Sequence, residues 1–228
     1  MNPNVQTYQY GYAAPSAAER NRTLRNTYWL LALSMVPTVL GAWLGVATGL
    51  AAAMSPMMSL IVFMAGAFGF MFAIEKTKNS AAGVPVLLGF TFFMGLMLSR
   101  MVGMVLGMGN GAALIMTAFA GTGAVFVGMA ALSSVIKRDL SAMGKFLFIG
   151  AIMVLVAGIA NIWLQSAALM ITLSVLVIGI FSAFIIYDLQ RVKNGQETNY
   201  ISATLGVYLS LYNVFSALLS IFGLTSRE

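Results

Sequence analysis

With 228 residues, 60% of them hydrophobic and only 8% charged, and a mean hydropathy of +0.92, the chain is far more apolar than a soluble domain, in which about a quarter of residues are charged. It has no cysteine and no histidine, which excludes disulfides, thiolate catalysis, imidazole acid–base chemistry and the commonest metal ligands. Its net charge of +6 follows from membrane topology, as shown below, and gives no reason to expect a nucleic-acid partner.

Residues 1–26 form a separate tail rich in Asn, Gln, Tyr, Ala and Pro, with Tyr8, Tyr10 and Tyr12 alternating. The tail has no apolar core of its own and is expected to be disordered or loosely associated with the membrane surface. Its start lacks the basic-then-apolar layout of a signal peptide, so the first span is expected to be an uncleaved anchor. Residues 27–228 form the membrane domain, with seven apolar stretches at about 27–50, 56–74, 84–107, 111–136, 146–164, 167–187 and 200–223. Each is long enough to cross ~30 Å of hydrocarbon, which takes ~20 helical residues. The predicted fold class is therefore all-α, an integral membrane bundle of seven helices. Ser55 and Pro56 read as an N-cap followed by proline at the first helical position, Pro85 opens the third span similarly, and Pro37 should kink the first.

The basic residues fix an orientation. Arg20, Arg22, Arg25, Lys76, Lys78, Lys137, Arg138, Lys145, Arg191 and Lys193 fall on one side of the predicted topology, ten of the twelve in the chain. Arg227 and Arg100 fall toward the other. The positive-inside rule then places the N-terminus in the cytoplasm and the C-terminus outside. An odd number of spans requires the same.

Three features carry candidate chemistry. Asp188 closes the apolar run IGIFSAFIIYD. There a carboxylate could sense pH or hold a cation, or it could sit at headgroup level and pair with Arg191 or Lys76. Arg100 lies fifteen residues into the third span from Pro85, about 22 Å along a helix. That suits an anchor at the outer interface and makes a pair with Asp188 at the inner face unexpected. The last span carries a small, polar face, Gly206, Ser210, Asn213, Ala217, Ser220 and Gly223, with Ser216 beside it. Such groups are placed in a bilayer where protein satisfies them, so this span is expected at the centre of the bundle, with the face serving tight packing, a polar path, or both. Gly41, Gly45 and Gly49 in the first span, and Gly103, Gly107 and Gly111 near the end of the third, mark packing faces of the same kind.

Several activities are set aside. A retinal protein needs a lysine in its last span, and residues 200–223 have none. A histidine-based serine protease has no base here, an aspartyl protease needs a second membrane carboxylate, and no GxxxxGK[ST] loop is present. No enzyme, cofactor or metal centre is expected.

From LRNTYWLL (24–31) to its end, the chain resembles the Bax inhibitor-1 family, and within it the bacterial YccA-like branch. The most specific segments are GQETNYISATLGVYLSLYNVFSALLSIFG (195–223), KRDLS (137–141) and Tyr187-Asp188. The resemblance implies a seven-helix bundle with the last helix central, in a bacterial inner membrane. For the YccA-like branch it implies a non-catalytic modulator that binds the membrane-anchored AAA protease FtsH, with the tail 1–26 as the segment within that protease's reach. For leak-type members it implies a pH-sensitive cation (Ca²⁺) leak gated by a pair of aspartates. The first of these corresponds to Asp188. The second falls on Ser210, because YLSLYN stands here where the family often has YLDxxN. The pair is thus broken, and a lone carboxylate cannot share a proton with a like-charged partner. Arg100, where leak-type members tend to have proline, is a second departure.

Overall fold

The computed structural model describes residues 15–136, 138 and 140–226. The described residues form eight helices: α1 (Ala17–Thr48), α2 (Leu50–Ala53), α3 (Pro56–Thr77), α4 (Gly83–Leu106), α5 (Gly111–Val135), α6 (Met143–Leu164), α7 (Ala167–Lys193) and α8 (Tyr200–Thr225). Seven are long and apolar enough to cross a membrane, and α2 is a single turn between two of them.

Several boundaries differ from the sequence reading. Residues 17–26, assigned above to a tail separate from the bundle, are the first turns of α1. The cause is a capping box: the Ser16 hydroxyl accepts from the Glu19 backbone N–H, and the Glu19 carboxylate accepts from the Ser16 backbone N–H at 2.7 Å. The remainder of the tail, up to residue 14, lies outside the described residues. Ser55 caps α3 as expected, with Pro56 at its first position. Pro85 sits in the first turn of α4, but that helix begins at Gly83 without a side-chain cap. α1 runs through Pro37 without interruption. Beside it, the Ser34 and Thr38 hydroxyls donate to carbonyls one turn back, at 2.7 and 2.8 Å.

The tightest seam joins α1 and α4. A Cβ on Gly41 would collide with the Phe92 carbonyl oxygen, one on Gly45 with the Ser99 hydroxyl, and one on Gly95 with the Thr38 carbonyl oxygen. Small residues thus let the two backbones touch, and close van der Waals packing is what holds helices together where lipid removes the hydrophobic incentive. Gly49, third in the first glycine run, has a different job: at φ 66° it ends α1 in the left-handed conformation.

α8 packs against α1, α3, α4, α5 and α7. Its Val207, Tyr208 and Leu211 join Leu30 of α1, Phe90 of α4 and Leu189 of α7 in the main core cluster. Tyr208 binds this centre through its hydroxyl, 2.9 Å from Thr38 Oγ1 and 3.4 Å from the Thr91 carbonyl. α3 packs mainly on α4, and α6 mainly on α7. Large apolar side chains stand outward on both, including Phe68, Phe72, Phe146 and Met153. In a bilayer these meet acyl chains.

Candidate functional site at the α7–α8 junction

Ser166 caps α7, and the helix carries Asp188 five residues before its end at Lys193, rather than at its last turn as the hydrophobic run suggested. On the facing helix stands Gly206. A Cβ there would lie 2.8 Å from Asp188 Oδ2, so the missing side chain is the seat of the carboxylate. Among the described residues the carboxylate makes no hydrogen bond or ion pair. Arg191 and Glu197 are its charged neighbours, but they pair with each other at 3.5 Å. Arg191 also lies over the Tyr187 ring, 5.7 Å from its centroid. Lys76, the other cation considered for Asp188, sits over the Phe72 ring instead.

Ser210 is one turn beyond Gly206. It is buried, and its hydroxyl donates to the Gly206 carbonyl at 3.1 Å. The two positions singled out for a proton-sharing pair therefore converge on the same glycine, Asp188 through its carboxylate and Ser210 through its hydroxyl. The rest of the polar face looks inward along α8 itself. Asn213 Nδ2 donates to the Leu209 carbonyl at 2.8 Å, Ser220 is buried, and Ser216 Oγ is buried with no hydrogen-bond partner among the described residues. Nor does the face run down one neighbour. Gly206 meets α7, whereas Gly223 lies under Val105 at the far end of α4.

Arg100 is distant from this junction by its contacts. Its Nη1 donates to the Met54 carbonyl at 3.1 Å and to Ser59 Oγ at 3.4 Å, fastening α4 to the start of α3. No Arg100–Asp188 pair forms, as expected.

The loop 194–199 between α7 and α8 gathers one end of the bundle. Gly195, at φ 73°, lets it turn tightly beneath Pro15 and Arg20. The Gln196 and Glu197 backbone N–H groups donate to the Arg191 carbonyl, at 2.8 and 3.1 Å. α1 reaches it through Arg20 Nη1 to the Lys193 carbonyl (3.2 Å) and Thr23 Oγ1 to the Thr198 carbonyl (3.3 Å). The α3–α4 connection reaches it through Asn199 Nδ2, which donates to the Lys78 carbonyl and Asn79 Oδ1. The end of α5 is held by Gln190 Nε2 on the Ile136 carbonyl (3.0 Å) and by Lys193 Nζ on Ser133 and Ser134. Gln196 Nε2 donates to Ser141 Oγ at 3.0 Å. The sequence reading takes Arg20, Lys78 and Lys193 only as topology signals and gives Gln190, Gln196 and Asn199 no role, since the importance of such polar side chains lies in what folds against them.

Asn199 does two jobs: its Oδ1 caps α8 by accepting from the Ile201 and Ser202 N–H groups, and its Nδ2 holds the α3–α4 connection. Asn199→Ala loses both and is expected to lower stability by about 1–2 kcal/mol, read as a fall in melting temperature in detergent. Asn199→Asp keeps the cap and loses only the donor, so it should melt between parent and alanine variant. Equal melting of all three would show that the loop is not holding the bundle.

Fold and junction together define a multi-pass membrane protein whose one acidic group of interest is lodged between its last two helices. The family model described as Inhibitor of apoptosis-promoting Bax1 matches residues 20–227, and the chain belongs to the Bax inhibitor-1 family. Among its relatives is a protein of Escherichia coli K12 named Modulator of FtsH protease YccA, 37% identical over 213 residues covering 93% of this chain and 94% of the relative. An uncharacterized membrane protein of Vibrio cholerae is 38% identical over 92% of both chains. An uncharacterized protein of Pseudomonas aeruginosa is 35% identical over 98% of both.

Proposed function

We propose that this chain is an inner-membrane protein that binds an FtsH-type membrane-anchored protease complex and modulates it without catalysing a reaction itself. The observation that carries the reading is the likeness, along 93% of the chain, to a relative named for modulating that protease. A sequence without histidine or cysteine supports the non-catalytic part. The N-terminus is placed in the cytoplasm and the C-terminus in the periplasm, because ten of the twelve basic residues fall on the predicted inner side. The end of the bundle gathered by loop 194–199 carries Arg20, Lys78 and Lys193, which suits that orientation.

The protease complex is expected to co-purify with the tagged chain from cross-linked membranes, and raising the chain's level should slow turnover of another membrane substrate. Absence of both results would overturn the reading. The tail has its own test. Deleting residues 1–14 leaves the Ser16 cap and α1 intact and is expected to weaken the protease interaction several-fold. Unchanged interaction and turnover would remove the tail from the proposal.

A cation leak gated by Asp188 is the second reading, favoured by one observation: the carboxylate is seated against α8 with no hydrogen-bond donor on it among the described residues. Purified protein in liposomes, assayed across pH beside Asp188→Asn, separates the two readings. Flux that follows pH and vanishes in the variant would make the leak primary.

A further inference from the structure

We propose that the face of α1 from Asn21 to Trp29 forms a binding site for the headgroup of an anionic glycerophospholipid. An open groove of about 470 Å³ lies on the face of this helix, lined by Asn21, Leu24, Arg25, Tyr28 and Trp29. The spacing places all five on one side of α1, across about 12 Å of helix. Polar and cationic groups occupy its outer part, and apolar and aromatic groups the part that runs into the span. This gradient follows a phospholipid from phosphate to upper acyl chain, and aromatic rings of this kind settle at the headgroup level. Tyr28 is braced edge-on against Phe126 of α5, with centroids 6.0 Å apart, and Leu24 and Tyr28 pack on the main core cluster. The lower wall is therefore fixed by the fold. Trp29, by contrast, is 73% exposed.

Charge selects the occupant. Four cations at this end of the bundle are already committed: Arg20 to the Lys193 carbonyl, Lys78 to Glu75, Arg191 to Glu197, and Lys193 to Ser133 and Ser134. Arg25 has no hydrogen-bond or ion-pair partner among the described residues, and it lines the groove. The nearby acid, Glu19, is taken up by Ser16. Among the described residues no carboxylate lines the groove to receive the ammonium of a zwitterionic headgroup. A phosphate whose headgroup adds no positive charge fits this wall, with Arg25 and Asn21 as donors. Basic pockets beside transmembrane helices recognise anionic lipid by these means.

The test uses the chain's own fluorophore. There are three tryptophans. Trp43 and Trp163 are 66% and 65% exposed, so Trp43→Phe with Trp163→Phe leaves Trp29 as sole reporter in a folded protein. In vesicles of phosphatidylcholine with increasing phosphatidylglycerol, Trp29 quenching is compared with the bromine on one lipid or the other. Phosphatidylglycerol is expected to be preferred about fivefold next to Trp29, the contribution of one basic group near the surface. Arg25→Gln should bring that preference to unity, and Lys145→Gln, an exposed cation at the same end, should leave it in place. Equal quenching by the two lipids would overturn the proposal. So would an equal loss in the two variants, which means diffuse surface charge, or competition by millimolar inorganic phosphate, which means a free-phosphate site. A thermal-shift series on the unaltered protein, with either lipid added to detergent micelles, reads the same preference without the tryptophan substitutions. Equal shifts there would also overturn it.

Discussion

Leucine at position 95 is expected to abolish assembly of the bundle. The Cβ would run into the Thr38 carbonyl oxygen, with Ala42 N 3.0 Å away, and both are backbone atoms of a packed helix that cannot rotate aside. α1 and α4 would have to separate. That would also empty the seats of Gly41 and Gly45 and break the 2.9 Å hydrogen bond between Thr38 and Tyr208. Overpacking by a few methylenes costs about 1–3 kcal/mol where side chains can adjust. Here backbone must move, so the loss should exceed that and approach the ~5–15 kcal/mol that holds a folded protein together. The readout is the yield of monodisperse protein after detergent extraction, with Gly128→Leu in parallel. Nothing lies within 4 Å of a Cβ at Gly128, and leucine facing lipid there should be tolerated. Parent-like yield and melting of Gly95→Leu would contradict the α1–α4 seam.

Ser210→Asp is expected to produce a cation flux that follows pH and exceeds any flux of the parent. The substituted carboxyl would start one helical turn from the glycine that seats Asp188. Two carboxylates meeting at a shared glycine cannot both ionise freely, and the pair then titrates in two coupled steps. Protonation would relieve repulsion between α7 and α8, and loss of the shared proton would push them apart. Potentiometric or dye-based flux in liposomes reads the change, with Asp188→Asn in the Ser210→Asp background as the control that should silence it. If the parent already leaks as strongly as Ser210→Asp, the leak reading becomes primary. If neither leaks at any pH, the junction is structural, and binding to the protease stands alone.

Much of the fold was legible because a bilayer enforces simple rules. Seven apolar stretches became seven long helices, and four of the basic residues that the predicted topology groups together, Arg20, Lys78, Arg191 and Lys193, lie at loop 194–199. What escaped the reading was set by local competition. α1 begins ten residues earlier than expected, although Ser16 and Glu19 at capping-box spacing announce it; the polar sequence after them, Arg20 to Thr23, masked a helix that needs no lipid. Gly95 stands outside the two GxxxGxxxG runs, so spacing alone does not mark it. Thr91, Gly95 and Ser99 nonetheless form a small-residue seam at steps of four, and Thr91 and Ser99 are buried. The polar face of α8 was visible, but its hydrogen bonds were not. Ser and Asn side chains in helices turn back to carbonyls one turn earlier, so Ser210 and Asn213 satisfy themselves, and Tyr208 and Asn199 make the bonds between segments. The meeting of Asp188 with Gly206 needed the structure, since no spacing rule links residues on two different helices.

The position of α8 in the chain has a consequence for how the protein is made. Six spans precede it and leave the ribosome first, yet α1, α3, α4, α5 and α7 all pack on it. Until α8 is inserted, Thr38 of α1 lacks its hydroxyl partner on Tyr208, and Asp188 has no helix to rest against. Nor can the loop that ties α1, α3 and α5 together close. Each nascent chain therefore passes through a stage in which the α1–α4 seam can already close while the helix on which five others pack is still missing. A chain truncated before residue 200 would leave uncovered the faces of α1, α3, α4, α5 and α7 that α8 packs against.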